Sequence, residues 1–253
     1  MVPAVLYSII FLSTFVLTMV GLGGGLIFAP LFVILGYPLS TAVATSLLLN
    51  GIAALSAATT YWRAKMVDIR TGLPLIVSSS LAAPIGALAT NRINVRFFTG
   101  LLALVIILAA FRMIFAKKTA ARDAVFIGIA RRVLGGGAIG VVIGLLAGLL
   151  GIGGGVFIVP LLIYVLKVPT KIAAATSTFI VVFSSFSGFL VHISLADMDW
   201  GFTFLAAVLS FAGGQAGSRM MTEKLKGRTI RIIFGLVLLA FSAKLIQKVL
   251  ISF

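Results

Sequence analysis

Gly21-Leu22-Gly23-Gly24-Gly25-Leu26-Ile27-Phe28-Ala29-Pro30 is followed in the same chain by Gly151-Ile152-Gly153-Gly154-Gly155-Val156-Phe157-Ile158-Val159-Pro160. Each copy interrupts a long apolar run, and each leads into a second shared element. In the first half this element is Pro38 followed by Ala42-Val43-Ala44-Thr45-Ser46; in the second it is Pro169 followed by Ala173-Ala174-Ala175-Thr176-Ser177. Further on, Asp68 aligns with Asp199 and Gly86 with Gly217. One long internal period of this kind is a duplicated domain, since solenoid repeats recur at shorter spacing. The halves read as residues 1–116 and 133–253, joined by a basic linker at 117–132.

The composition sets the environment of both halves. Of 253 residues, 61% are hydrophobic and 10% charged, and the mean hydropathy is +1.26. A soluble domain cannot bury that much apolar surface, whereas a bilayer surrounds it. Apolar runs at 4–20, 40–62, 72–90, 97–115, 133–150, 172–194, 200–218 and 232–251 are mostly long enough for roughly 30 Å of hydrocarbon. Backbone polar groups in lipid must be satisfied within the chain, and no run shows the two-residue alternation of a barrel strand. The expectation is an all-α polytopic membrane protein. The run at 4–20 has a mid-chain counterpart at 134–150, where no secretory signal could act, so it reads as a span. The chain has no cysteine, which excludes disulfides and thiolate chemistry.

A net charge of +15 would suggest nucleic acid in a soluble protein, but here the charges occupy short loops. Place the N-terminus outside and let each glycine break reverse the chain. The loops at 63–70, 112–132, 167–171 and 219–231 then face the cytoplasm. They hold every one of the 20 basic residues except Arg92, Arg96, Lys244 and Lys248, and the acidic loop carrying Asp197 and Asp199 falls outside. This is the positive-inside pattern, and it nearly disappears if the breaks are kinks in straight spans. Each half then crosses an odd number of times, so the halves have inverted topology, as in many secondary transporters. Both termini lie outside. The segments 26–36 and 156–166 are nearer 16 Å than 30 Å in length, which suits re-entrant hairpins or Gly-broken helices meeting inside the membrane.

The apolar runs contain no Asp or Glu, and the chain has one histidine, His192. No nucleophile–base pair, metal-ligand cluster or nucleotide loop is present, so an enzyme is not expected and no metal or cofactor is implied. The breaks offer different chemistry. Gly23, Gly24 and Gly25, and Gly153, Gly154 and Gly155, can leave backbone N–H groups free at the start of the following helices. Such helix starts attract anions without a formal cation. Thr45, Ser46, Thr176 and Ser177 would add hydroxyls, and Asn50 lies one turn beyond Ser46 on a similar face. The residue aligned with Asn50 is Val181, so a site would not be symmetric. Gln215 could line a path or bond a neighbouring helix. His192 is the one group available for proton coupling. Small residues also serve tight helix contacts, so packing is the bland reading of the same motifs. Ser184, Ser185 and Ser187 read as bonding back to their own helix.

At these motifs the chain resembles the TauE/SafE family of sulfite exporters, whose pattern of a Gly-rich stretch, a Pro and an Ala-Thr-Ser element in each half matches Gly21–Pro30 with Ala44-Thr45-Ser46 and Gly151–Pro160 with Ala175-Thr176-Ser177. The resemblance covers almost the whole chain. It implies a transporter of sulfite or a small organosulfur anion such as sulfoacetate, working as an exporter in the cytoplasmic membrane. Its partners would be that anion and membrane lipid, with no nucleic acid; the oligomeric state is left open. A passive anion channel and a non-transporting membrane subunit are the competing classes.

Overall fold

The computed structural model describes residues 2–89, 107, 110–111, 129–150, 153–193 and 196–251. The expected span at 97–115, apart from three residues, and the linker expected at 117–132, up to Ile129, lie outside them. The described residues form nine helices and no strand. They are α1 (Val2–Met19), α2 (Gly25–Ile34), α3 (Leu39–Arg63), α4 (Ile69–Ala89) and α5 (Ile129–Leu150). After these come α6 (Gly155–Tyr164), α7 (Thr170–His192), α8 (Trp200–Glu223) and α9 (Gly227–Ile251). The all-helical expectation holds. Among the described residues, α3, α7 and the stretch Ile69–Leu88 of α4 are long and apolar enough to cross a membrane.

The first glycine break is built by two consecutive backbone devices. Gly21 at φ +87° ends α1: its N–H donates to the Thr18 carbonyl, and the Leu22 N–H to Leu17. This is the double C-terminal closure that a left-handed glycine permits. Three residues later α2 begins, only 10 residues long, or about 15 Å. Leu6 and Ile10 of α1 share a buried cluster with Phe28 and Phe32 of α2. A Cβ on Gly24 would stand 3.0 Å from Thr14 Cγ2, so the chain folds back on α1 at the break.

Later elements begin alike in both halves. Pro38 and Pro169 precede α3 and α7 with extended backbone, at φ −53°, ψ 145° and φ −56°, ψ 140°. Proline fixes φ and disfavours helix in the residue before it, so each helix starts sharply. Asp68 and Asp199 cap α4 and α8, their Oδ1 atoms accepting from Thr71 N–H at 3.2 Å and Phe202 N–H at 3.1 Å.

The centre of the molecule is the pair α3 and α7. Gly188 abuts Leu47, Gly51 abuts Phe186, and the Trp62 ring stacks on Phe179 at 5.4 Å. Rising numbers on α3 meet falling numbers on α7, so the two equivalent helices run antiparallel. Around them α1 packs along α8, and α5 along α4. A Cβ on Gly86 of α4 would stand 2.1 Å from the Leu145 carbonyl oxygen, and one on Gly217 of α8 would stand 2.2 Å from that of Phe15. These are aligned glycines against aligned carbonyls, each in the opposite half. The backbones approach this closely because side chains are absent, as is usual where lipid offers no hydrophobic drive for helix association.

The outer faces are apolar. Leu73, Val77, Leu81, Ile85 and Leu88 form an exposed stripe along α4, and Phe204, Leu205, Val208 and Phe211 another on α8. Soluble monomers rarely present continuous apolar surface of this kind, whereas hydrocarbon covers it without penalty.

Candidate functional site

Both glycine breaks converge on one side chain, Asn50, which is fully buried in the middle of α3. Its Oδ1 accepts from the N–H groups of Gly24 and Gly25, the latter at 2.7 Å. Its Nδ2 donates to Ser185 Oγ of α7 at 2.8 Å. A Cβ at Gly23 would stand 2.2 Å from Asn50 Oδ1, and one at Gly153 would stand 2.0 Å from Asn50 Nδ2. Gly23 and Gly153 also have φ of +74° and +75°, which side-chain-bearing residues adopt at a cost. Two independent constraints therefore require glycine at both places.

Serines tie the breaks to the central pair. Ser46 Oγ donates to the Gly25 carbonyl at 3.3 Å and Ser177 Oγ to that of Gly21 at 2.9 Å. Ser184 Oγ donates to the Gly153 carbonyl at 3.1 Å. The breaks also touch each other, since a Cβ on Gly155 would be 3.0 Å from both the Gly21 carbonyl oxygen and Leu22 Cα. The result is a polar knot of backbone amides, hydroxyls and one carboxamide inside an apolar bundle, with no formally charged side chain among these named groups.

One expectation needs correction, and the other expected site residues are placed as follows. The N–H groups of Gly24 and Gly25 are not free; the Asn50 carboxamide occupies them. In the second half Val181 stands in place of Asn50, and Gly154, the residue before α6, is left-handed at φ +81°. Among the described residues Gln215 makes its hydrogen bonds to α3. It donates to Thr60 Oγ1 at 3.1 Å and accepts from Ser56 Oγ at 3.2 Å, cross-linking α8 to α3. Thr176 Oγ1 accepts from the Asp68 N–H at 2.9 Å, away from the knot. Thr45 is buried beside Ser46. His192 is buried at the last residue of α7, its Nδ1 3.2 Å from the Gly188 carbonyl oxygen of the same helix.

Ser184, Ser185 and Ser187 read from the sequence as bonding back to their own helix. Ser184 does reach Val181 at 3.3 Å, but it also holds Gly153, Ser185 receives Asn50, and Ser187 donates to the Ser80 carbonyl at 2.6 Å. A signal for this was present in the alignment of the halves. The serine pair stands where the first half has Ala53 and Ala54, one turn beyond the Val181 that replaces Asn50.

The arrangement binds an oxygen acceptor with two backbone N–H groups in a site shut off from water, the electrostatic condition under which such donors are strongest.

Comparison with known proteins agrees with this architecture. A family model described as "Sulfite exporter TauE/SafE" matches residues 6–245. The chain is 28% identical over 257 residues to the "Probable membrane transporter protein YunE" of Bacillus subtilis (strain 168), covering 93% of this chain and 94% of that one. No solved structure gives a significant match. With an apolar helical bundle and a family match over nearly its whole length, the chain belongs to the TauE/SafE sulfite exporter family of membrane transporters.

Proposed function

We propose that the protein carries a small sulfur-containing anion, sulfite or an organosulfur acid of sulfoacetate type, out across the cytoplasmic membrane by alternating access between two inverted repeats. The repeats are residues 1–116 and 133–253, with 117–132 as a cytoplasmic linker and both termini outside. The observation that carries the reading is the Asn50 carboxamide oxygen held by the Gly24 and Gly25 amides. It stands where an oxyanion's oxygen would be bound, at the start of a short helix whose dipole favours negative charge.

In this reading the anion takes over the amides when Asn50 turns aside. Asn50 Nδ2, Ser46, Ser177 and the break at Gly153–Gly155 complete its shell, with Thr45 and Thr176 farther along the same helices. The antiparallel contact of α3 with α7, and the exchange of partners between α1–α8 and α5–α4, support inverted repeats, because a two-fold axis in the membrane plane relates equivalent helices in that way. Driving force comes either from membrane potential acting on the anion or from a proton carried through His192.

Uptake of labelled sulfite, sulfate, thiosulfate and sulfoacetate into proteoliposomes tests the proposal. Saturable, mutually competed exchange of one sulfur anion is expected, and its response to imposed pH and voltage gradients identifies the coupling. Non-saturating flux would identify a channel, and absence of flux from folded protein would remove the substrate class.

A further inference from the structure

The entries to α4 and α8 are equivalent in sequence but bonded differently. Asp68 and Asp199 are aligned, and each caps its own helix. Thr176 and Thr45 are aligned as well. In one pair the threonine hydroxyl accepts from the aspartate's backbone N–H, Thr176 Oγ1 from Asp68 at 2.9 Å, and Asp68 is half-buried. In the other, the aspartate is exposed and its bonds stay within its own helix. Its Oδ1 takes Phe202 N–H at 3.1 Å and its carbonyl takes Thr203 Oγ1 at 2.6 Å. Among the described residues no hydrogen bond joins Asp199 to Thr45. The residues beside them share one buried cluster, Met198 next to Asp199 with Val43 and Ala44 next to Thr45.

A steric cause accompanies the difference. Gly72, one turn into α4, leaves just enough room for Thr176, since a Cβ there would stand 3.2 Å from Thr176 Cγ2. The aligned position in α8 is Thr203, whose side chain is buried. Closure on that side requires Thr203 to yield, so the two sides are unequal by sequence.

We propose that Thr176–Asp68 and Thr45–Asp199 are two latches, each joining a central helix of one half to a helix entry of the other, which close alternately as the transporter changes sides. The inference rests on the alternating-access reading above. In this structure the latch beside the basic loop at 63–70 is closed and its counterpart is open. A hydrogen bond of this kind between neutral groups biases a two-state equilibrium by roughly three- to tenfold.

The lack of native cysteine makes the test direct. Single cysteines replace Val67 and Met198, the aligned residues just before the two aspartates, in full-length protein in nanodiscs, and their labelling by a soluble maleimide is timed. Thr176→Val should speed labelling at position 67 roughly three- to tenfold and slow it at position 198. Gly72→Ala should act in the same direction, Thr176→Ser should restore the original rates, and Thr45→Val should shift both rates the opposite way. A response at position 67 alone, or rates at both positions rising together, would overturn the latch pair and leave the Thr176 bond a local brace. Exchange in proteoliposomes decides the other question. Exchange without reciprocal labelling removes the latches alone, and reciprocal labelling without exchange removes the transport reading alone.

Discussion

Asn50 shows how much a single buried side chain can be asked to do. Its carboxamide offers an acceptor to two helix-start amides and a donor to Ser185, so no replacement satisfies all three partners in the same way. Asn50→Leu should cost about 1–3 kcal/mol for each amide left without an acceptor, and thermal unfolding in detergent should show the loss. Asn50→Asp keeps the acceptor, and the Ser185 hydroxyl can turn to donate. That variant should insert and fold, yet its fixed carboxylate should lower anion flux by more than about tenfold, since like charges at close quarters cost several kcal/mol. Wild-type flux in Asn50→Asp would place the anion elsewhere. The sequence pointed to Asn50 through its spacing from Ser46. It could not show that the side chain faces the break to cap it, because spacing along a helix fixes a face and says nothing of what the facing element presents.

At the level of helices, the glycines of α5 set the contact with α4. Cβ atoms on Gly144 and Gly148 would stand 2.3 Å and 1.9 Å from the carbonyl oxygens of Ser79 and Ala83. Gly144→Val therefore has nowhere to go without separating the backbones, and should destabilise by about 1–3 kcal/mol. The check is the unfolding midpoint of the purified protein, and an unchanged midpoint would mean that α5 does not pack as described. These helices were visible in the sequence as apolar runs, and the short α2 and α6 as segments too brief to span. Which glycines were hinges and which were contact points was less visible. Gly24 and Gly144 are the same residue type in similarly apolar surroundings, and only the partner backbone distinguishes them.

Across the whole molecule, the arrangement turns on the direction of each half. The chain folds back on α1 at the first break, where Gly24 meets Thr14, and loop charge had suggested a reversal there. The orientation in the membrane is tested with single cysteines at two exposed loop positions. Asp197→Cys should react with an impermeant maleimide in intact cells, and Lys65→Cys only after permeabilisation. Equal reactivity of the two would overturn the inverted arrangement. The family was legible because its paired motifs are the breaks themselves. The role of Gln215 was not, since an amide in an apolar helix looks the same whether it lines a path or, as here, ties Ser56 and Thr60 of a neighbour.

A single carboxamide lying against both glycine breaks also bears on the protein's ancestry. A duplication begins with two identical halves, each able to substitute for the other. Here one half holds the asparagine and the other holds valine with a serine pair, and the bond between Asn50 and Ser185 spans the divide. Neither half can now pair with a second copy of itself and rebuild the same centre. The centre therefore needs both stretches of sequence in one molecule, because the donor of the bond comes from one and its acceptor from the other.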